Sequence, residues 1–371
     1  MKLWYSRCLT TLNGFSRGII LSKLKTLYNG RKAMYGLIKK KITGKRTPVR
    51  VSLLVTKYCN LECFYCYAED VLNVKEVPEF SLDELKDLID QIYDTGCRWV
   101  NILGGEPLIR NDIEEIIDYI HSKGMFIELT TNGYFVKKRI NALKKLDHLA
   151  ISLDGNKESN DKARGEGSFE KIIDGIQCAV DNGIKVRVHA TLCKKTMQGE
   201  SFDFLVNYCK DMGVGLNYSE NGLPGIEKLD PDYLLSEEEA LNFYKDYEGM
   251  KARGYPIVSS DVAVDYVSKW PLPGQTTIYK KDLPNVPKDS FYPCKLGRNQ
   301  CFISADGNTY PCTKKWGTGK NVRDAGFKAA WEAMEDDLDC VACKELGTIE
   351  QSVITGLQPK ALANAVTNFV F

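Results

Sequence analysis

The chain has 371 residues, of which 43% are apolar, enough for one large catalytic domain with a sizeable core and one or two small additions. Its thirteen cysteines are irregularly spaced and no secretory signal peptide precedes them, which argues against a secreted disulfide framework and for metal-bound thiols in a reducing cytoplasm. The net charge of +1 conceals an asymmetry: residues 1–50 hold thirteen Lys and Arg and no carboxylate, leaving −12 on the remainder.

The basic segment, residues 1–48, also carries Trp4, Ile20, Leu24, Leu27, Tyr35 and Ile38 at helical spacing, flanked by Lys23, Lys25, Lys39, Lys40 and Lys41. A basic amphipathic helix lies on an anionic membrane surface, at about 1 kcal/mol per basic residue near the headgroups. The alternatives are a helical extension packed on the core, its charge merely solvated, and contact with nucleic acid, the least favoured of the three. No uncharged apolar run reaches ~18 residues, so no membrane-spanning helix is expected.

Beyond residue 49, strand-like runs alternate with helical patterns. The strands are expected at Val51–Thr56, Trp99–Leu103, Met125–Thr131, His148–Leu153, Lys185–Leu192 and Val214–Tyr218. Ser81-Leu-Asp-Glu84 is a capping box opening a helix to about Thr95. Ile113, Ile116, Ile117 and Ile120 mark one face of a second helix, Asp112 to Lys123. Two more run from Ser168 to about Asn182, stopping at Gly183, and from Phe202 to Met212. Six strand–helix units over residues 49–220 predict an α/β fold with a parallel sheet and outer helices, two units short of a closed eightfold barrel. Residues 221–290 break this rhythm, with one helix from Ser236 to Arg253 and a Pro-rich stretch, and read as a connector or insertion. Residues 291–371 form a cysteine-rich extension whose apolar end, Phe369-Val370-Phe371, is expected to dock on the core.

The chemistry concentrates in Cys59-Asn-Leu-Glu-Cys63-Phe-Tyr-Cys66, just past the first strand. A disulfide uses two thiols and a structural zinc site closes with four. Three thiols suit an iron–sulfur cluster with one iron left without a protein ligand. Three further motifs follow strand-like runs in order: Gly104-Gly105-Glu106-Pro107, Thr130-Thr131-Asn132-Gly133 and Ser152-Leu153-Asp154-Gly155. Each is weak alone, since the Gly, Asn-Gly and Asp-Gly pairs also read as plain turns and Arg164 as a surface residue.

Together, in this order over roughly residues 51–220, these motifs resemble the radical S-adenosylmethionine (radical SAM) superfamily, with Tyr65 in its aromatic place. The resemblance implies a partial (β/α)6 barrel. It implies that Cys59, Cys63 and Cys66 bind a catalytic 4Fe–4S cluster whose open iron takes the amino and carboxylate groups of S-adenosylmethionine. Reductive cleavage then gives a 5′-deoxyadenosyl radical, fed by a low-potential donor such as ferredoxin or flavodoxin. Gly104, Gly105 and Glu106 are expected to meet the amino group, with Pro107 fixing the turn. Asn132 is expected near the ribose, Ser152 and Arg164 at the carboxylate, and Tyr65 and Thr191 beside the adenine.

A second cysteine set lies in the extension. Cys294 and Cys312 flank a hairpin turning at Asp306-Gly307, and Cys340-Val-Ala-Cys343 adds a pair near a helix end. The set resembles the SPASM or twitch auxiliary-cluster extension, the shorter twitch form because no cysteine follows Cys343. The resemblance implies a second 4Fe–4S cluster on Cys294, Cys312, Cys340 and Cys343; a zinc ribbon is the rival. Cys301 is left out, as a strand thiol or a substitute ligand, and the scattered cysteines read as core. Substrate remains open between two classes. Tyr35 to Gly44 resembles the lead-in of radical enzymes acting on hopanoid lipids, implying a lipid or isoprenoid, whereas SPASM-type relatives imply a peptide. A zinc-stabilised nucleic-acid-binding module is the non-enzymatic alternative.

Overall fold

The computed structural model describes residues 31–365 except 32–34, 37, 40–41, 45, 67, 69–77, 195, 197–198, 221–234, 316–318 and 335–337. The apolar runs become six parallel strands: β1 (Arg50–Leu54), β2 (Trp99–Leu103), β3 (Phe126–Thr131), β4 (His148–Ser152), β5 (Val186–Leu192) and β6 (Gly215–Glu220). Each pairs with its sequence neighbour, so every crossover is local. The strands alternate between two duties. In β5, Val186, Val188, Ala190 and Leu192 are buried, whereas Arg187, His189 and Thr191 on the other side are half-buried. The latter side is concave: Ser52, Asn101, Thr130, Ser152, His189 and Asn217, one from each strand, line a single cavity. That curvature is a partial barrel, open between β6 and the hairpin that continues the sheet beyond β1.

Helices cover the convex side. Leu82–Asp94 (α1) starts at the capping box, with Glu84 N–H donating to Ser81 Oγ and Ser81 N–H to Glu84 Oε2. It buries Leu85, Leu88, Ile89 and Ile92, at about 1.5–3 kcal/mol for each fully buried side chain. Ile113–Ser122 (α2) buries its four isoleucines. Ser168–Asp181 and Glu200–Asp211 stand where the periodicity puts them. Two short helices were not expected: Val136–Leu143 (α3) and Lys157–Arg164 (α4). The helix expected from Ser236 to Arg253 is two, Glu237–Lys245 and Tyr247–Ala252, broken at Asp246, whose φ of −86° and ψ of 4° close one and open the other.

The extension continues the main sheet. Gln300–Ile303 (β8) lies parallel to β1 and turns through Asp306-Gly307 into Thr309–Tyr310 (β9), the expected hairpin. Gly307 has φ +95°, a conformation that favours glycine. Thr277–Tyr279 (β7), inside the expected connector, pairs antiparallel with Cys340–Cys343 (β10). The Cys340–Cys343 pair therefore lies on a strand, ahead of the helix Leu346–Thr355 (α5). The connector also binds the extension through Glu350, which accepts from Ser260 Oγ at 2.6 Å and Ser260 N–H at 2.9 Å.

The described residues between 31 and 43 are helical, with Gly36 against Pro48, where a Cβ would meet the Pro48 carbonyl at 2.9 Å. Tyr35, Ile38 and Ile42 are exposed. The basic apolar stretch before residue 31 and Phe369-Val370-Phe371 lie outside the described residues. Among those described, no helix is long and apolar enough to cross a membrane.

Candidate active site

The cysteine loop leaves the carboxyl end of β1, the end at which barrels and open α/β sheets carry their chemistry. Backbone pairs fasten it to the next motif: Gly105 N–H donates to Thr56 O and Glu106 N–H to Tyr58 O, both at 2.8 Å. A Cβ on Gly105 would stand 2.3 Å from the Tyr58 carbonyl oxygen, so only glycine lets the two chains cross. Gly105→Ala is therefore expected to push the loop outward, at about 1–3 kcal/mol of stability. A shift of about 1 Å in a reacting group costs roughly a hundredfold in rate; chemical denaturation and a 5′-deoxyadenosine assay check the two effects.

Cys59 is exposed at the cavity rim, and Cys63 and Cys66 are half-buried; all three line the cavity. They load one another electrostatically. Burial pushes Cys63 up to about 11, Arg164 pulls it down, and Asp154, Cys66 and Cys59 push it further up. Cys59 is raised by burial of its sulfur, then by Glu106 and Cys66. Such thiols are protonated near neutral pH until a metal displaces their protons.

Glu106 faces inward, away from the place expected of it beside an amino group. Its Oε1 accepts from Leu108 N–H at 2.9 Å and Thr131 Oγ1 at 2.7 Å, and its Oε2 from Asn132 N–H at 2.7 Å. Fully buried, it ties the Gly-Gly-Glu-Pro turn to the end of β3; burial lifts it to about 7 against these donors. Gly104 and Gly105 do face the cavity, and Pro107 opens the short 3-10 turn Pro107–Ile109. Asn132 reaches the cysteine loop, its Nδ2 donating to Asn60 Oδ1 at 2.9 Å and standing 4.0 Å from Cys59 Sγ. Ser152 and Thr191 line the wall.

Arg164 is no surface residue. It is buried and grips Asp154 with two bonds, Nε at 2.7 Å and Nη2 at 3.1 Å. Asp154, fully buried, also accepts from Thr191 N–H at 2.8 Å and from the Tyr65 hydroxyl. One carboxylate thus joins the cysteine loop, β5 and α4. The Arg164 guanidinium stands over the Tyr65 ring, 5.5 Å from its centroid. Asn156 starts α4 by accepting from Ser159 N–H, which swings Arg164 in at the helix's end.

Sequence reasoning missed the cavity floor. Glu128 accepts from Arg50 at 3.0 Å and Arg187 at 2.5 Å; burial alone would raise it, but the two guanidiniums hold it at about 2. His189 stands 2.6 Å from Asn217 Oδ1 and 3.2 Å from Ser219 Oγ, and burial and Arg187 push it down to about 4. The signal was available as charges alternating with apolar residues in Arg187-Val-His189-Ala-Thr191. Glu345, Thr348 and Gln351 of the extension also line this cavity, of about 940 Å³, and Gln351 bonds Gln300, the register partner of Arg50.

The second cysteine set also converges. Burial raises Cys294 first, then the charges of Cys343, Cys312 and Cys340; Cys312, pushed up to about 12 by burial, feels Cys343 and Cys340. Positions i and i+3 of a regular strand point to opposite faces. A register shift between Cys340 and Ala342 alters that parity, as a β-bulge does. Cys301 is fully buried in β8, and its electrostatic neighbours are Cys97 and Arg46, apart from this set. Among the described residues, no three His, Cys, Asp or Glu stand at the geometry of a single bound ion.

Residues 53–207 match the family model of the Radical SAM superfamily. The chain is 35% identical over 148 residues to Fe-coproporphyrin III synthase of Methanosarcina barkeri, a match spanning 39% of this chain and 37% of that protein. It is 26% identical to the mycofactocin maturase MftC of Mycolicibacterium smegmatis, over 79% of this chain and 72% of that one. Among solved structures, Streptococcus suis SuiB bound to precursor peptide SuiA shares the fold, with a TM-score of 0.59 and 20% identity over 85% of this chain and 70% of that one.

Proposed function

The chain belongs to the radical SAM superfamily, a superfamily of enzymes, and from that premise we propose that it cleaves S-adenosylmethionine reductively at a 4Fe–4S cluster on Cys59, Cys63 and Cys66 and acts on a substrate seated in the barrel. The observation that carries the reading is the convergence of three mutually loaded thiols on the mouth of one deep cavity. When bound, the cluster and S-adenosylmethionine supply a 5′-deoxyadenosyl radical, which abstracts hydrogen from an unactivated carbon or adds to a double bond.

The chain's own residues would position these groups. Gly104 and Gly105 let backbone approach closely, and Asn132 steadies the loop at Cys59. Asp154 holds Tyr65 and Arg164 in register with β5. Ser152, Arg164 and Thr191 offer polar contacts on the wall. Glu345, Thr348 and Gln351 of the extension complete the wall that would shelter a reactive intermediate from water.

Cys294, Cys312, Cys340 and Cys343 would hold a second, fully ligated cluster, suited to electron transfer or to a structural role. A low-potential ferredoxin or flavodoxin would supply the first electron. A lipid or isoprenoid substrate gains no support from a wall bearing Arg50, Arg187, His189, Asn217 and Gln351. A polar substrate suits that wall, and the likeness to SuiB with its peptide supports a peptide as the second reading.

Anaerobic reconstitution, with iron and sulfide counted and 5′-deoxyadenosine assayed under dithionite, tests the proposal. It is expected to give about eight irons per chain together with cleavage. About four irons with cleavage would remove the auxiliary cluster, and zinc alone without cleavage would overturn the reading.

A further inference from the structure

Three large apolar side chains stand outside the core ahead of the barrel: Tyr35 is 42% exposed, Ile38 48% and Ile42 79%. The described residues around them are helical, and steps of three and four residues set the three on one face. Arg31, also exposed, falls in the same row. The sequence before it keeps the step with Leu24 and Tyr28, beside Lys23 and Lys25. Other positions fix the helix to the body. Gly36 lies on Pro48 and Val49, and Lys39 Nζ donates to Thr95 O at 3.4 Å. Pro48 and Val49 lead into β1, and Thr95 lies shortly before β2. The helix therefore sits at the amino ends of these strands, whereas the cysteine loop leaves the carboxyl end of β1.

Scattered exposed apolar side chains need no explanation, but a row of them along one helix face marks a contact surface. Charge selects the partner. Residues 1–50 carry thirteen Lys and Arg and no carboxylate, against −12 on the remainder. A second copy of this face would bring like charges together, which opposes self-association. A nucleic acid would meet the charge, but its phosphates offer nothing to Ile38 and Ile42. An anionic bilayer takes both, because its headgroups draw the cations while the apolar face settles at the acyl boundary. The acidic remainder is repelled by the same surface, which holds the barrel off it. Among the described residues no helix is long and apolar enough to cross the bilayer, so the contact is peripheral. We propose that the face of Tyr35, Ile38 and Ile42 docks the protein on an anionic lipid surface and leaves the cavity mouth, at the other end of the barrel, open to water.

Cosedimentation of the full-length protein with unilamellar vesicles tests this without recourse to catalysis. One set of vesicles is phosphatidylcholine alone, and the other contains about a third phosphatidylglycerol. Binding is expected to the anionic set and not to the neutral one, and to weaken several-fold or more between about 0.1 and 1 M salt. Ile42→Glu is expected to weaken it roughly tenfold, and Ile38→Ser/Ile42→Ser at least as much. Ile42 is the most exposed of the three, so its variant is expected to fold, and circular dichroism checks both. Tyr58→Ser trims a side chain that is 59% exposed at the cavity mouth and is expected to leave vesicle binding unchanged. Absence of binding to anionic vesicles overturns the proposal, as does equal binding to both sets. Wild-type binding by the isoleucine variants would show that charge alone attracts the chain and overturns the assignment of this face. Displacement from vesicles by duplex DNA at matched phosphate would favour nucleic acid and overturn it too. A loss in Tyr58→Ser as large as in Ile42→Glu would turn the mouth toward the bilayer and overturn the placement.

Discussion

Cys63→Ala is expected to reduce 5′-deoxyadenosine formation to background and to remove about four irons per chain. The reason lies in the count of thiols at the cavity mouth. On the proposed reading three thiolates would hold three irons, and with two the cluster would lose the ligand that feels the Asp154–Arg164 pair. Among the described residues, no other cysteine lines the cavity. Cys301 and Cys97 are fully buried beside each other, and the second set is gathered around Cys294. Cys301→Ala is the matched control. It trims a strand thiol in the core, and both iron and cleavage are expected to stay at the wild-type level with a stability loss of about 1 kcal/mol. Cleavage that survives in the Cys63 variant would show that these thiols do not hold the reacting cluster.

Most of the barrel was legible because the strands of a parallel sheet covered by helices are buried and read as largely apolar runs. Trp99–Leu103 is observed as expected, and the isoleucine face of α2 sits where its period put it. The helices that escaped notice are those without such a face. Val136–Leu143 buries only Val136, Ala142 and Leu143, and Lys157–Arg164 buries Asn160, Ala163 and Arg164. The second is held inward by an ion pair, and no hydrophobic period announces an ion pair. The same holds at the site. The cysteines declare themselves by spacing, whereas Asp154 looks like half of a turn until Tyr65, Arg164 and Thr191, 89, 10 and 37 residues away, arrive around it. Arg50, Glu128 and Arg187 are likewise ordinary until three strands place them on one floor. The pairing of Thr277–Tyr279 with Cys340–Cys343 is a contact of that kind, set by tertiary packing of a three-residue strand too short to carry a pattern.

Asp154→Ala is the second large effect, and it separates folding from chemistry. Removing the carboxylate leaves Arg164 buried with no counter-charge, a loss of about 3–5 kcal/mol. It also frees the Tyr65 hydroxyl and Thr191 N–H, so the cysteine loop loses its side-chain anchor to β5. Stability and 5′-deoxyadenosine formation are both expected to fall. The double variant Asp154→Ala/Arg164→Met removes the stranded charge as well, and denaturation midpoints are expected to recover much of the loss. Cleavage is not expected to recover with them, because the loop's tie through Tyr65 stays broken. A double variant that regained both would reduce Asp154 to a partner for Arg164. A double variant that regained neither would mean that the Asp154 bonds to Tyr65 and Thr191, more than the ion pair, hold this corner of the barrel together.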